Sequence, residues 1–179
     1  MDKIKIINKV KAKLTENKIT WVKPKFIKEI CSYFEKPETI KTLKDHNILF
    51  SDEKEILSYL NKGHFGRISD EELQEKGKNI NVDLEDFDKE VATNQNLSLS
   101  YKHLEKSLIE KDLNLESPIL FKFLDGTYWG FSGNRRANLA RKNNIPVLFW
   151  IIDQEKISKQ DKEKEEKNKN EEILAETWF

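Results

Sequence analysis

The stretch Ser117-Pro118-Ile119-Leu120-Phe121-Lys122-Phe123-Leu124-Asp125-Gly126-Thr127-Tyr128-Trp129-Gly130-Phe131-Ser132-Gly133-Asn134-Arg135-Arg136 decides how this chain folds. Residues 117–124 are rich in branched and aromatic side chains behind a proline, which a strand tolerates at its start. Asp125-Gly126 supplies the freedom that a two-residue hairpin loop needs, and Thr127-Tyr128-Trp129-Gly130-Phe131 returns as a second strand. Gly133 ends the hairpin, a short helix is predicted over 135–143, and Pro146-Val147-Leu148-Phe149-Trp150-Ile151-Ile152 reads as a buried strand. Upstream, Tyr101, Leu104, Leu108 and Leu113 with charged residues between them predict an amphipathic helix over about 100–112.

Outside this segment the period changes. Ile4, Ile7, Val10 and Leu14, then Phe26, Ile30, Tyr33 and Phe34, then Ile56, Leu57 and Leu60 recur at helical spacing, which predicts three or four short helices within 1–75. Pro24 suits the first turn of the second helix and Pro37 marks its end. Ser51-Asp52-Glu53 reads as a helix start, and Lys62-Gly63-His64-Phe65-Gly66-Arg67 as a helix-ending turn or a ligand loop. Ser69 with Glu72 three residues on is a capping-box pattern. Residues 76–96 read as an acidic linker or loop, and 153–179 as a charged tail, helical or disordered, with an apolar end at Trp178-Phe179. The expected class is α+β: a helical N-terminal part over 1–75, a small mixed-sheet domain over 97–152 and the tail.

The 179 residues carry 32 Lys plus Arg against 32 Asp plus Glu, which excludes a uniformly basic nucleic-acid coat. The zero is a sum of blocks. Residues 1–30 hold nine Lys against three acids, a net of +6, and residues 69–90 hold nine acids against three Lys, a net of −6. Cys31 is the single cysteine, so disulfides and cysteine zinc sites are excluded and a cytoplasmic setting is expected. The N-terminus interrupts its apolar residues with lysine every few positions, so neither a secretory signal nor a membrane span is expected there.

One constellation carries chemistry. Ser132-Gly133-Asn134-Arg135-Arg136 puts a glycine turn and two arginines at a helix start, directly after a strand. Helix-start amides are unpaired, arginine matches phosphate oxygens in bidentate fashion, and glycine lets the backbone approach a ligand. Together they make a phosphate cradle; the alternative is a simple turn with solvated arginines. Glu85, Asp86, Asp88 and Glu90 admit two uses, a solvated acidic loop or carboxylates holding Mg2+ opposite the arginines. Among them Glu90 and Asp88 are the candidate catalytic residues, because phosphoryl transfer or hydrolysis needs a base near the phosphate. Asp125 reads as a turn residue, and His46, His64 and His103 lack metal-ligand spacing. The basic N-terminus with Trp21, Phe26 and Tyr33 admits DNA contact or helix packing.

Taken in order, the helix at 104–113, Pro118-Ile119-Leu120-Phe121, Asp125-Gly126-Thr127-Tyr128, Ser132-Gly133-Asn134-Arg135-Arg136-Ala137 and Ile145-Pro146-Val147 resemble the ParB/sulfiredoxin-like superfamily over about 97–152. The resemblance implies a nucleotide triphosphate, CTP or ATP with Mg2+, held by Ser132, Gly133, Asn134, Arg135 and Arg136. It further implies a DNA-associated, phage or plasmid process, with the N-terminal helices meeting DNA or a protein partner. The alternatives are an ATP-dependent small-molecule phosphotransferase, a ParB-like nuclease, and a non-catalytic module binding DNA or protein. Asn134 stands where sulfiredoxins have their catalytic cysteine and partition proteins a glutamate, so sulfinic-acid repair is not expected.

Overall fold

The computed structural model describes residues 19–26, 28–110 and 113–177; the part of the basic block before residue 19 and the helix expected there lie outside them. The chain is a mixed α/β protein. Among the described residues it has seven α-helices, one 3-10 helix and seven strands in two sheets. In chain order these are β1 (Ile19–Val22), the 3-10 helix (Lys28–Glu35), α1 (Pro37–Asp45), α2 (Glu53–Asn61), β2 (His64–Gly66), α3 (Asp70–Lys76), β3 (Gly77–Lys78) and α4 (Leu84–Thr93). There follow α5 (Gln95–Glu110), β4 (Leu113–Glu116), β5 (Ile119–Lys122), β6 (Tyr128–Ser132), α6 (Asn134–Lys142), β7 (Phe149–Asp153) and α7 (Gln154–Thr177). No helix among them is long and apolar enough to cross a membrane.

The five-stranded sheet has the order β2-β7-β5-β6-β3, with β3 parallel to β6 and Gly77 opposite Tyr128. The second sheet is a parallel pair, β1 with β4, in which Ile19 faces Leu113 and Val22 faces Glu116. The described residues divide into two compact units: 19–25, 65–120 and 128–150 form the first, and 26–64, 121–127 and 151–177 the second.

In the first unit α6 is buried on two sides. Leu139 is completely buried with Phe87 of α4 and Tyr101 of α5, while Ala140 packs with Ile19, Trp21, Leu113, Leu115, Ile145 and Val147. Ala140 thus brings that side of the helix fully buried against the parallel strand pair. In the second unit the rings carry the packing. Phe34 meets Phe50 edge-on at 5.6 Å, Phe50 meets Tyr59 at 5.3 Å, and the His46 ring lies flat on Phe123 at 3.6 Å. Buried Gln154 ties this unit further: Leu124 N–H donates to its Oε1, and its Nε2 donates to the His46 carbonyl. Burial, with Asp161 and Asp153 nearby, pushes the Tyr59 hydroxyl up to about 12.

Several expectations are corrected. The N-terminal part is not purely helical, since β1 and β2 lie within it, and the His64–Gly66 strand replaces the expected turn. Pro37 follows the 3-10 helix, which ends at Glu35 as expected, and has a second role. It opens α1 at the first-turn position, where a missing N–H costs nothing. The expected loop over 76–96 contains α4, because the Asp83 carboxylate accepts from the amides of Glu85 and Asp86 and Phe87 is driven into the core. The Asp-Gly hairpin is one residue longer than expected. Gly126 N–H donates to the Phe123 carbonyl at 3.0 Å, Phe123 N–H donates to Thr127, and Gly126 takes φ +84, so Leu124 and Asp125 are the central turn residues. Residues 154–177 of the charged tail are helical.

Phe87 is the anchor that ties α4 to α6. Phe87→Ala is expected to cost about 3–5 kcal/mol, read as a fall in the urea midpoint at unchanged m-value. A loss below about 1 kcal/mol would show that α4 is not part of the core.

Candidate functional site

The site begins with backbone. β6 ends at Ser132 and α6 starts at Asn134, so Gly133 makes the turn alone, at φ +91 in the left-handed region. A Cβ at this position would lie 2.8 Å from Pro118 Cα and 2.8 Å from Arg136 Nη2. Glycine therefore admits a neighbouring backbone on one side and a guanidinium on the other. The Gly133 carbonyl accepts the first helical hydrogen bond from Ala137 N–H at 3.0 Å, and no side chain caps the amides ahead of it.

Asn79 holds the turn in place from the loop after β3. It sits at φ +55; its Nδ2 donates to the Gly130 carbonyl at 2.8 Å, and its own carbonyl accepts from Asn134 Nδ2 at 3.1 Å. Gly130 lies so close to the Asn79 carbonyl that no side chain fits there. The Asn134 side chain thus serves the scaffold, while its backbone amide has no side-chain cap. The two arginines differ. Arg135 is exposed and makes no ion pair among the described residues. Arg136 is half-buried with Nη1 3.6 Å from Glu116 Oε2, while Glu116 Oε1 accepts from Lys25 N–H at 2.6 Å. Half-buried Ser132 stands before the turn, and beside Pro118 lies fully buried Ser117, whose Oγ lacks a partner among the described residues.

The carboxylates expected as catalytic are not brought to this turn. Asp88 Oδ1 accepts from Lys142 Nζ at 3.1 Å, at the opposite end of α6, about 12 Å along the axis from Asn134. Glu90 is exposed on α4 with no side-chain partner among the described residues. The acidic stretch reads as a loop in sequence; as a helix it sends Asp88 to the C-terminal end of α6, where positive charge collects. Burial opposes the charge on Lys142, but the hydrogen bond to Asp88 together with the charges of Tyr101, Asp88 and Glu105 outweighs it and holds the ammonium above its ordinary value. Lys142 also lies 5.1 Å from the Tyr101 ring centre. Its contribution to stability is complete at neutral pH and is lost as pH rises through the raised value. No group of three or more metal-ligating side chains occurs among the described residues.

Glu116 and Asn79 escaped the sequence reading. A glutamate directly before Ser117-Pro118 is the only local signal for the first, and the left-handed backbone that asparagine tolerates is the only signal for the second. Comparison with known protein families, with curated proteins and with solved structures returns no match.

Gly133→Ala is expected to lose about 3 kcal/mol from left-handed strain and crowding. Gly126→Ala, at φ +84 but facing open space, is expected to lose about 1 kcal/mol. Thermal denaturation of both variants checks the order, and equal losses would refute the close approach at Gly133.

Proposed function

We propose that the chain is a nucleotide-binding protein of the ParB/sulfiredoxin-like kind, which takes the triphosphate of CTP or ATP at Ser132-Gly133-Asn134-Arg135-Arg136 in a DNA-associated process. One observation carries the reading: the left-handed Gly133 turn opens a nine-residue helix without a side-chain cap, with the unpaired Arg135 on its first turn and Arg136 Nη2 against the glycine. Free amides and a free guanidinium are the donors that phosphate oxygens take. The reading is one of binding rather than phosphoryl transfer, because Asp88 is engaged at the far end of α6 and supplies no base at the turn. Glu116, beside Arg136, is the carboxylate that would meet a Mg2+ carried by the triphosphate.

Calorimetric titration of CTP and ATP, with and without Mg2+, tests the reading. Saturable binding is expected, together with a rise in Tm, since ligand at 100 times Kd adds about 2.7 kcal/mol. Arg135→Ala is expected to weaken binding roughly 10- to 100-fold, the loss of one charge-assisted hydrogen bond, while leaving the Tm of the free protein within about 2 °C. Absence of saturable binding, or unchanged affinity in both Arg135→Ala and Arg136→Lys, would reject it.

A further inference from the structure

The opposite end of α6 carries a second arrangement that the nucleotide reading leaves unused. An open cleft of about 650 Å³ in the first unit is lined by Arg67, Asp70, Arg141, Ile145, Pro146 and Val147 among others, and Arg67, Asp70 and Arg141 are the charged residues in its wall. The volume suits a small organic molecule, for which pockets run roughly 300–1,000 Å³.

Arg141 is the informative residue. Its side chain is only 6% exposed, its Nη1 donates to buried Asn138 Oδ1 at 2.9 Å, and its guanidinium stands 5.9 Å from the Phe149 ring centre. Its Nε donates to Asp70 Oδ1 at 2.9 Å, yet its Nη2 is buried without a hydrogen-bond partner. Nε and Nη2 project from the same edge of a guanidinium, the edge that takes a carboxylate through two parallel hydrogen bonds. Asp70 therefore fills half of a two-donor edge. A buried charge left short of acceptors is costly, and Asp70, with 59% of its side chain exposed, is free to yield to solvent where Arg141 is not. Arg67 is exposed on the same cleft and has no ion pair among the described residues.

We propose that this cleft is a binding site for a small monocarboxylate with an apolar body, whose carboxylate replaces Asp70 on the Nε–Nη2 edge of Arg141 while Arg67 neutralises it from the rim. Ile145, Pro146 and Val147 give the apolar part its wall. The charged lining sums to +1, which balances one carboxylate; a phosphate dianion would keep Asp70 beside it as a repelling neighbour.

The test uses the full-length 15N-labelled chain. Benzoate, indole-3-acetate and N-acetyl-leucinate are titrated against their primary amides, following the Arg141 Nε–Hε correlation and the backbone amides of Arg67, Ile145 and Val147. At least one acid is expected to shift these signals saturably while its amide does not. Asp70→Asn is expected to tighten that acid about fivefold and Arg67→Ala to weaken it about fivefold, each the size of one exposed ion pair. Both residues are exposed, so the variants should keep the native Tm within a few degrees. The proposal is overturned if no acid shifts Arg141, if acid and amide act alike, if Asp70→Asn fails to tighten binding, or if inorganic phosphate binds as tightly as the acid.

Discussion

At Gly133 the absence of a side chain decides where a helix can begin. Pro118 backbone and the Arg136 guanidinium both crowd the place a Cβ would take, so the residue that precedes β5 lies directly against the turn that opens α6. Gly130 repeats the device one strand-turn earlier, against the Asn79 carbonyl. These two contacts fix the register of β6 and aim α6, and the burial of Leu139 and Ala140 in two different clusters follows from that aim. Packing cannot compensate for a shift at the start of a helix whose two faces are already committed.

The charges on α6 run partly against its dipole. Arg141 and Lys142 sit in the last turn, where cations are favoured, and each has an acidic partner. Arg135 and Arg136 sit in the first turn, where the dipole disfavours them, and only Arg136 has a carboxylate close by. The two ends of one helix therefore differ in charge balance: paired cations in its last turn, and cations that run against the dipole in its first.

How much of this was legible depends on range. The hairpin, the glycine turn, α6 and β7 follow from period-2 and turn signals that lie within a few residues of one another, and the Ser69 cap on Glu72 N–H is where its local pattern put it. Strands β1 and β4 were missed because each is four residues long and takes its identity from a partner about ninety positions away. Residues 84–93 read as loop in sequence because Phe87 is their sole fully buried apolar side chain, too sparse a signal for periodicity. The cradle residues were legible as a motif, but Glu116 and Asn79, which hold it, reach it only through the tertiary fold. Asp88 and Glu90 have the chemistry of catalytic carboxylates, and chemistry alone carries no information about which end of a helix a carboxylate will face.

α7 has a consequence of a different kind. Asp153 accepts from the amides of Glu155 and Lys156 at its start, Ile157 is buried, and every residue from 158 to 173 is exposed. Over those sixteen residues Asp161 is tethered to Lys62 Nζ at 3.2 Å, and helix propensity and Lys–Glu pairs such as Lys159 with Glu155 supply much of what keeps the exposed backbone helical. The segment is therefore a thermometer and a salt gauge attached to a folded body. Its helicity declines gradually with warming and ionic strength while the core melts in a single step, so circular dichroism at 222 nm and tryptophan fluorescence will not trace the same curve.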